Sequence, residues 1–278
     1  MQEENFENLK TTVGIRGFDP SIFPELEKNM KEGKTDFVLH YSERLDEDRT
    51  VLCQLSFNKH KEDDRYFFNR YQATLMNEDE VMAQISVKSS WKITVQEAAR
   101  IMEYGQNVAV FKQNIIGYRQ NEEGQEAQQF KFNAYITIDP EGKTDDQGNL
   151  LLNSYHDNYY AKRSFDIIEQ LENPEIPFRT KQDYASVEAL VKDIHQAIPV
   201  EIVMNRNGKE EDGFLNVNAR RGKLNFMDAK GISIDPPQVK QEQRNTVADS
   251  GEVKKKPWVN QGPQKRAWKP KQSKGISR

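Results

Sequence analysis

Between residues 35 and 88, apolar and polar side chains alternate through four successive segments joined by short polar stretches, and few folds accept such a pattern. Thr35 to Ser42 places Phe37, Leu39 and Tyr41 on one face, and Arg49 to Phe57 places Val51, Cys53, Leu55 and Phe57 likewise. A period of two is that of a half-buried strand, and the polar joint Glu43-Arg44-Leu45-Asp46-Glu47-Asp48 makes these two a hairpin. A second pair, Arg65 to Met76 and Glu80 to Val87, is expected to bury Phe67, Tyr71, Ala73 and Leu75 against Val81, Ala83, Ile85 and Val87. Four sequential strands with short connections give an antiparallel meander. Each strand buries one face only, so other elements must cover that face.

Helices are expected to supply the cover. Residues 1 to 33 read as two short helices, the second around Pro24 to Lys31, with Leu26 and Met30 four apart and Gly33 placed to end it. Val95 to Tyr104 carries the stripe Val95, Ala98, Ala99 and Met102 behind the capping box Thr94-x-x-Glu97, and Gly105 ends it.

A second stretch follows, with strands at Gln129 to Ile138 and Leu150 to Tyr155 on either side of the turn-rich Asp139 to Asn149. Helices at Ser164 to Glu172 and Tyr184 to Ala197 lead to a closing meander, Val200 to Asn205, Phe214 to Asn218 and Lys223 to Asp228, with turns at Asn207-Gly208 and Arg221-Gly222. The expected class is α+β, antiparallel β-meanders with helices packed on one face, plus a disordered basic C-terminal tail. Three regions follow: 1–105, 106–235, and a linker with tail at 236–278.

Charge separates the tail from the rest. Lys254, Lys255, Lys256, Lys265, Arg266, Lys269, Lys271, Lys274 and Arg278 are accompanied by no acid, and Trp258 and Trp268 stand among them. The whole chain carries −4, so nine cations there leave −13 on the preceding 253 residues. A proline-punctuated basic segment cannot bury enough apolar surface to offset its ordering entropy, which predicts a disordered arm. Interleaved cations and aromatics suit phosphates and unstacked bases, so these eleven residues are the candidate nucleic-acid contacts, for single strands in particular. The acidic body would be repelled by DNA and suits a basic protein partner.

The remaining motifs give no reaction. The one cysteine, Cys53, permits neither an internal disulfide nor a thiolate metal cage and is expected in the core. With no 18-residue apolar run and an acidic N-terminus, the chain is expected in the cytoplasm, off the membrane. Gly142-Lys143-Thr144 lacks the glycine that a phosphate loop needs five residues earlier, Thr137 standing there, and reads as a polar turn. His40, His60, His156 and His195 fall in four different elements, His195 on the polar side of its helix, so no metal ligand set is assigned. No catalytic residue and no cofactor is assigned either. Glu62-Asp63-Asp64 and Asp145-Asp146 read as solvated turns. The densest polar-aromatic cluster, Tyr155, His156, Asn158, Tyr159 and Tyr160, is either a surface that grips a partner or bases, or packing over the next helix.

Several segments in order, Lys34-Thr35-Asp36-Phe37-Val38-Leu39, Tyr66 to Leu75, Ile93 to Ala98, Tyr155-His156-Asp157-Asn158-Tyr159, and Phe214 to Ala219 leading into Leu224 to Asp228, resemble a family of uncharacterised accessory proteins of Bacteroidetes conjugative transposons and plasmids (DUF3945/DUF4099-like). The chain departs from that family at Met102 to Asn107, where relatives have a Gly-rich joint, and at Tyr160, where they have a Gly. The resemblance implies a mobile-element setting beside a DNA-processing protein, topoisomerase-like or relaxase-like, and no catalytic residues. The expected function is a non-enzymatic accessory protein with nucleic acid on its tail and a protein partner on its acidic body. An enzyme of unrecognised class and an interaction adaptor without a nucleic-acid role stay open as alternatives.

Overall fold

The first meander forms as its alternation requires. The computed structural model describes residues 2–119, 128–160 and 165–234. Strands β1 (Asp36–Arg44), β2 (Arg49–Lys59), β3 (Tyr66–Asn77) and β4 (Glu80–Lys88) make one antiparallel sheet in sequence order. Leu39, Val51, Cys53, Leu55, Tyr71, Ala73, Leu75, Ile85 and Val87 are buried along its inner face. Helices α1 (Glu3–Gly14), α2 (Phe23–Lys31) and α3 (Val95–Tyr104) cover that face, with Leu9, Val13, Leu26, Met30, Ala98 and Ile101 in the same core.

Two side chains expected in this core lie outside it, and β-bulges are the reason. On β3 the pairing passes from Ser56↔Arg70 to Phe57↔Phe68, skipping Asn69. One extra residue reverses the in/out phase of everything beyond it. Tyr66 and Phe68 therefore point inward, and Phe67 is 42% exposed. A second skip, from Leu75↔Ala83 to Met76↔Val81, likewise leaves Val81 on the surface at 63%.

The α3 helix starts and stops as its residues dictate. Thr94 Oγ1 accepts the Glu97 N–H at 3.2 Å, Glu97 Oε2 accepts the Thr94 N–H at 2.8 Å, and Gly105 takes φ +59° at the other end. Glu97 has a second task, because its carboxylate meets the Lys112 ammonium at 2.6 Å in a largely buried pair.

A strand that alternation did not reveal, β5 (Val110–Arg119), pairs with β6 (Gln128–Ile138), which pairs with β7 (Leu152–His156). Its register breaks between Lys112 and Ile115, with Asn114 at φ +53°, so no run of period two appears in the sequence. This small sheet is buried on both sides. Val110, Ala134, Ile136 and Ile138 join the core of the first sheet, whereas Ala109, Tyr135 and Tyr155 join a second core.

The second core belongs to a five-stranded antiparallel sheet ordered β12-β11-β10-β9-β8. Its strands are β8 (Phe178–Thr180), β9 (Val200–Arg206), β10 (Lys209–Asn218), β11 (Lys223–Asp228) and β12 (Ser233–Ile234), and α4 (Ile167–Glu172) and α5 (Val187–His195) pack against it. Of these, β8 and β12 are too short to show a period. His195 is not on a polar face: its ring lies 4.5 Å from that of Phe111, and its Nε2 is 3.0 Å from the Tyr135 hydroxyl. The sheet between the cores supplies both partners, which the α5 sequence cannot show. Polar bonds tie the halves together. Asn216 Oδ1 accepts the Ala109 N–H at 3.2 Å, Arg100 donates to the Gln196 carbonyl at 3.0 Å, and Asn225 donates to the Asn107 carbonyl at 2.8 Å.

Candidate functional site: an arginine-tyrosine cleft

The β10–β11 connection is a turn of Ala219-Arg220-Arg221-Gly222, closed by Asn218 Oδ1 accepting the Arg221 N–H at 3.0 Å. Three of its carbonyls are held from outside. Tyr160 donates to the Ala219 oxygen, Tyr159 to the Arg220 oxygen at 3.1 Å, and Gln170 of α4 to the Gly222 oxygen at 3.0 Å. Gln170 also accepts the Leu224 N–H at 2.9 Å. Gly222 sits at φ +60° with the Tyr160 ring so close that a Cβ would stand 3.0 Å from it. Backbone anchoring at so many points presents two guanidinium groups from a fixed frame, which lowers the ordering cost of binding.

The turn forms one wall of a cavity of about 540 Å³. Thr137 and Tyr155 of the middle sheet, Asn107 and Ser233 of β12 also line it. A smaller cavity of about 250 Å³ shares Asn218, Arg221 and Ser233 and ends at Glu175, which pairs with Lys223.

The tyrosine cluster divides along β7 and the 3-10 turn of residues 157–160. Tyr155 is buried in the second core, meets Tyr159 edge-on at 4.9 Å, and Tyr159 meets Tyr160 at 5.2 Å. Tyr159 is 51% exposed. His156 points to the other face of β7, against the Phe132 ring at 6.3 Å, and does not share the cleft. Asn158 lies in the 3-10 turn, where its side chain is outside the described set. Cluster residues Tyr155, Tyr159 and Tyr160 are thus brought together with Arg220 and Arg221. Of the arginines, the sequence reading named only Arg221, as part of a turn. Sixty residues of separation hid the pairing. Lys162 and Arg163, and the nine cations and two tryptophans of 254–278, lie outside the described residues.

Other chemistry-bearing groups are spent on structure. Burial pushes the Cys53 thiol up to about 12, so it is not a thiolate at neutral pH. Asp145 Oδ1 accepts the N–H groups of Gln147 and Asn149, each at 2.9 Å, Asp63 Oδ2 accepts from Arg65 at 2.7 Å, and Asp64 pairs with Lys59 at 2.6 Å. Lys143 meets Glu141 at 2.7 Å in a polar turn with Gly142 at φ +65°. Burial lowers His195 to about 4, leaving it a neutral packing ring at pH 7. No helix among the described residues is long and apolar enough to cross a membrane, and none of their acids, histidines and cysteine gather in a group able to hold a metal ion. Comparison of the chain with protein-family models, with curated proteins and with solved structures returns no match.

Proposed function

We propose that this protein is a non-enzymatic nucleic-acid-binding accessory factor of a mobile genetic element, holding single strands through its basic C-terminal residues and the arginine-tyrosine cleft together. One observation carries the reading. β12, the last described strand, lines the cleft, and the sequence that follows it leads to nine cations and two tryptophans with no acid from residue 254 onward. Phosphate contacts then supply affinity, and Trp258, Trp268 and Tyr159 offer stacking faces. The mobile-element setting is supported by the collinear segments that resemble transposon accessory proteins.

A partner surface is offered at another part of the body. The β1–β2 and β3–β4 turns lie at one end of the first sheet, where the Glu78 N–H donates to the Asp48 carbonyl at 2.6 Å. Asp46, Glu47 and Asp48 thereby stand beside Glu78, Asp79 and Glu80, with Val81 and Met82 exposed next to them. A basic DNA-processing protein, topoisomerase-like or relaxase-like, fits that composition.

Binding of a single strand measured against salt tests the proposal. If nine cations each contact a phosphate, log affinity falls with log salt at a slope of about −6, roughly 0.7 per contact. Removing residues 254–278 should flatten the slope and lower affinity by orders of magnitude. Undiminished binding by the shortened protein would remove the tail from the proposal.

A further inference from the structure

We propose that the cleft binds one phosphorylated nucleotide unit, its phosphate on Arg220 and a polar edge of its sugar or base on the Tyr155 hydroxyl. The proposal rests on the nucleic-acid reading above and deepens it.

Tyr155 is the first reason. It is 7% exposed, its ring lies in the second core, and its hydroxyl has no hydrogen-bond partner among the described residues. The hydroxyl is not among the buried polar atoms left unpaired, so water reaches it, and Tyr155 lines the cavity. Its packed ring makes it a fixed donor and acceptor whose bond to water a ligand's polar edge can replace.

Arg220 is the second. It makes no ion pair among the described residues, and its turn is pinned by Tyr159, Tyr160 and Gln170. Guanidinium groups match the oxygens of a phosphate in pairs. Asn218 uses its Oδ1 on the turn and leaves its amide NH₂ for the cavity it lines. Glu175, a carboxylate lining the smaller cavity, is paired with Lys223.

Size and aromatic content select the class. About 540 Å³ falls within the roughly 300–1,000 Å³ of small-ligand sites, more than inorganic phosphate requires. Half-exposed Tyr159, whose hydroxyl holds the Arg220 carbonyl, offers a ring face beside the turn on which a base can stack. A nucleotide presents phosphate, polar edges and a π-face at once. It is available either as a free molecule or as the phosphorylated end of a strand.

The test uses the full chain, titrated with thymidine 5′-monophosphate, thymidine and inorganic phosphate. The monophosphate should bind tightest. Arg220→Gln and Tyr155→Phe should each weaken it, by about tenfold for the charged contact and about fivefold for the hydroxyl. Arg220 is exposed, so its variant cannot fail merely by misfolding, and the melting temperature of Tyr155→Phe is checked alongside. Affinities that both variants leave unchanged, or equal binding of thymidine and its monophosphate, would overturn the assignment. A thymidine oligonucleotide with and without a 5′-phosphate separates the sources. Tighter binding of the phosphorylated strand, lost in Arg220→Gln, assigns the strand end; equal binding with the monophosphate site intact assigns the free nucleotide. The tail's contribution is read independently from the salt slope on long strands, so either reading can fail alone.

Discussion

His195 shows how one residue's neighbours decide its role. Packed between Phe111 and Tyr135, it is held near a pKa of about 4 by burial, well below the usual value of 6.5. The unfolded chain then binds a proton that the folded one refuses, so the resulting stability is complete above pH 6.5 and is lost as the pH falls toward 4. The loss is at most about 3.5 kcal/mol, from roughly 1.4 kcal/mol per pH unit. Chemical denaturation at pH 7.5 and pH 5 should show the wild type losing stability over this interval and His195→Phe losing less. Equal losses in the two proteins would return His195 to solvent. Helical periodicity placed this ring on the polar side of α5, because periodicity registers only the helix's own sheet and not the second sheet that reaches it.

At the scale of elements, α3 is where local signals and long-range chemistry meet. Thr94 only caps the helix, whereas Glu97 both completes the capping box and neutralises the largely buried Lys112 of β5. Thr94→Ala should cost about 1 kcal/mol, and Glu97→Ala about 3 kcal/mol because it also leaves a largely buried ammonium unpaired. Urea denaturation of the two variants decides the matter; equal costs would mean that Lys112 reaches water unaided. The cap was legible because it is written in four consecutive residues. Its partner was not, since fifteen residues and an unrecognised strand separate Glu97 from Lys112. The bulges at Asn69 and Met82 belong to this scale too. Neither carries a glycine or proline to announce it, so alternation ran straight through and misplaced Phe67 and Val81.

For the whole molecule, the middle sheet is shared property. Its β6 strand sends Ala134, Ile136 and Ile138 into one core and Tyr135 into the other, so neither core closes without it. The two halves should therefore unfold together. Asn216→Ala, in the second sheet, strands the buried Ala109 N–H and the Ile198 carbonyl and should cost about 1–3 kcal/mol. Cys53 is a reporter in the first core, 1% exposed and unreactive until that core opens. Its labelling by a thiol reagent should accelerate in Asn216→Ala, although the mutation lies in the other core. Labelling at the wild-type rate would show that the halves open independently. The cleft belongs to this scale as well, since its walls come from the middle sheet and the β10–β11 turn.

What the sequence by itself determined is whatever a few neighbouring residues can enforce: the two hairpins of the first sheet, the capped α3 helix, the Asn207-Gly208 turn and the burial of Cys53. Period and capping act over one or two turns of chain, and their free energy is local. The tertiary structure alone decided which core each face of the middle sheet would serve, where the bulges reversed the alternation, and that Tyr155 and Arg220 would line one cavity. Those outcomes depend on packing between segments far apart in the chain, where a contact is selected by shape and by unpaired polar groups rather than by spacing along the backbone.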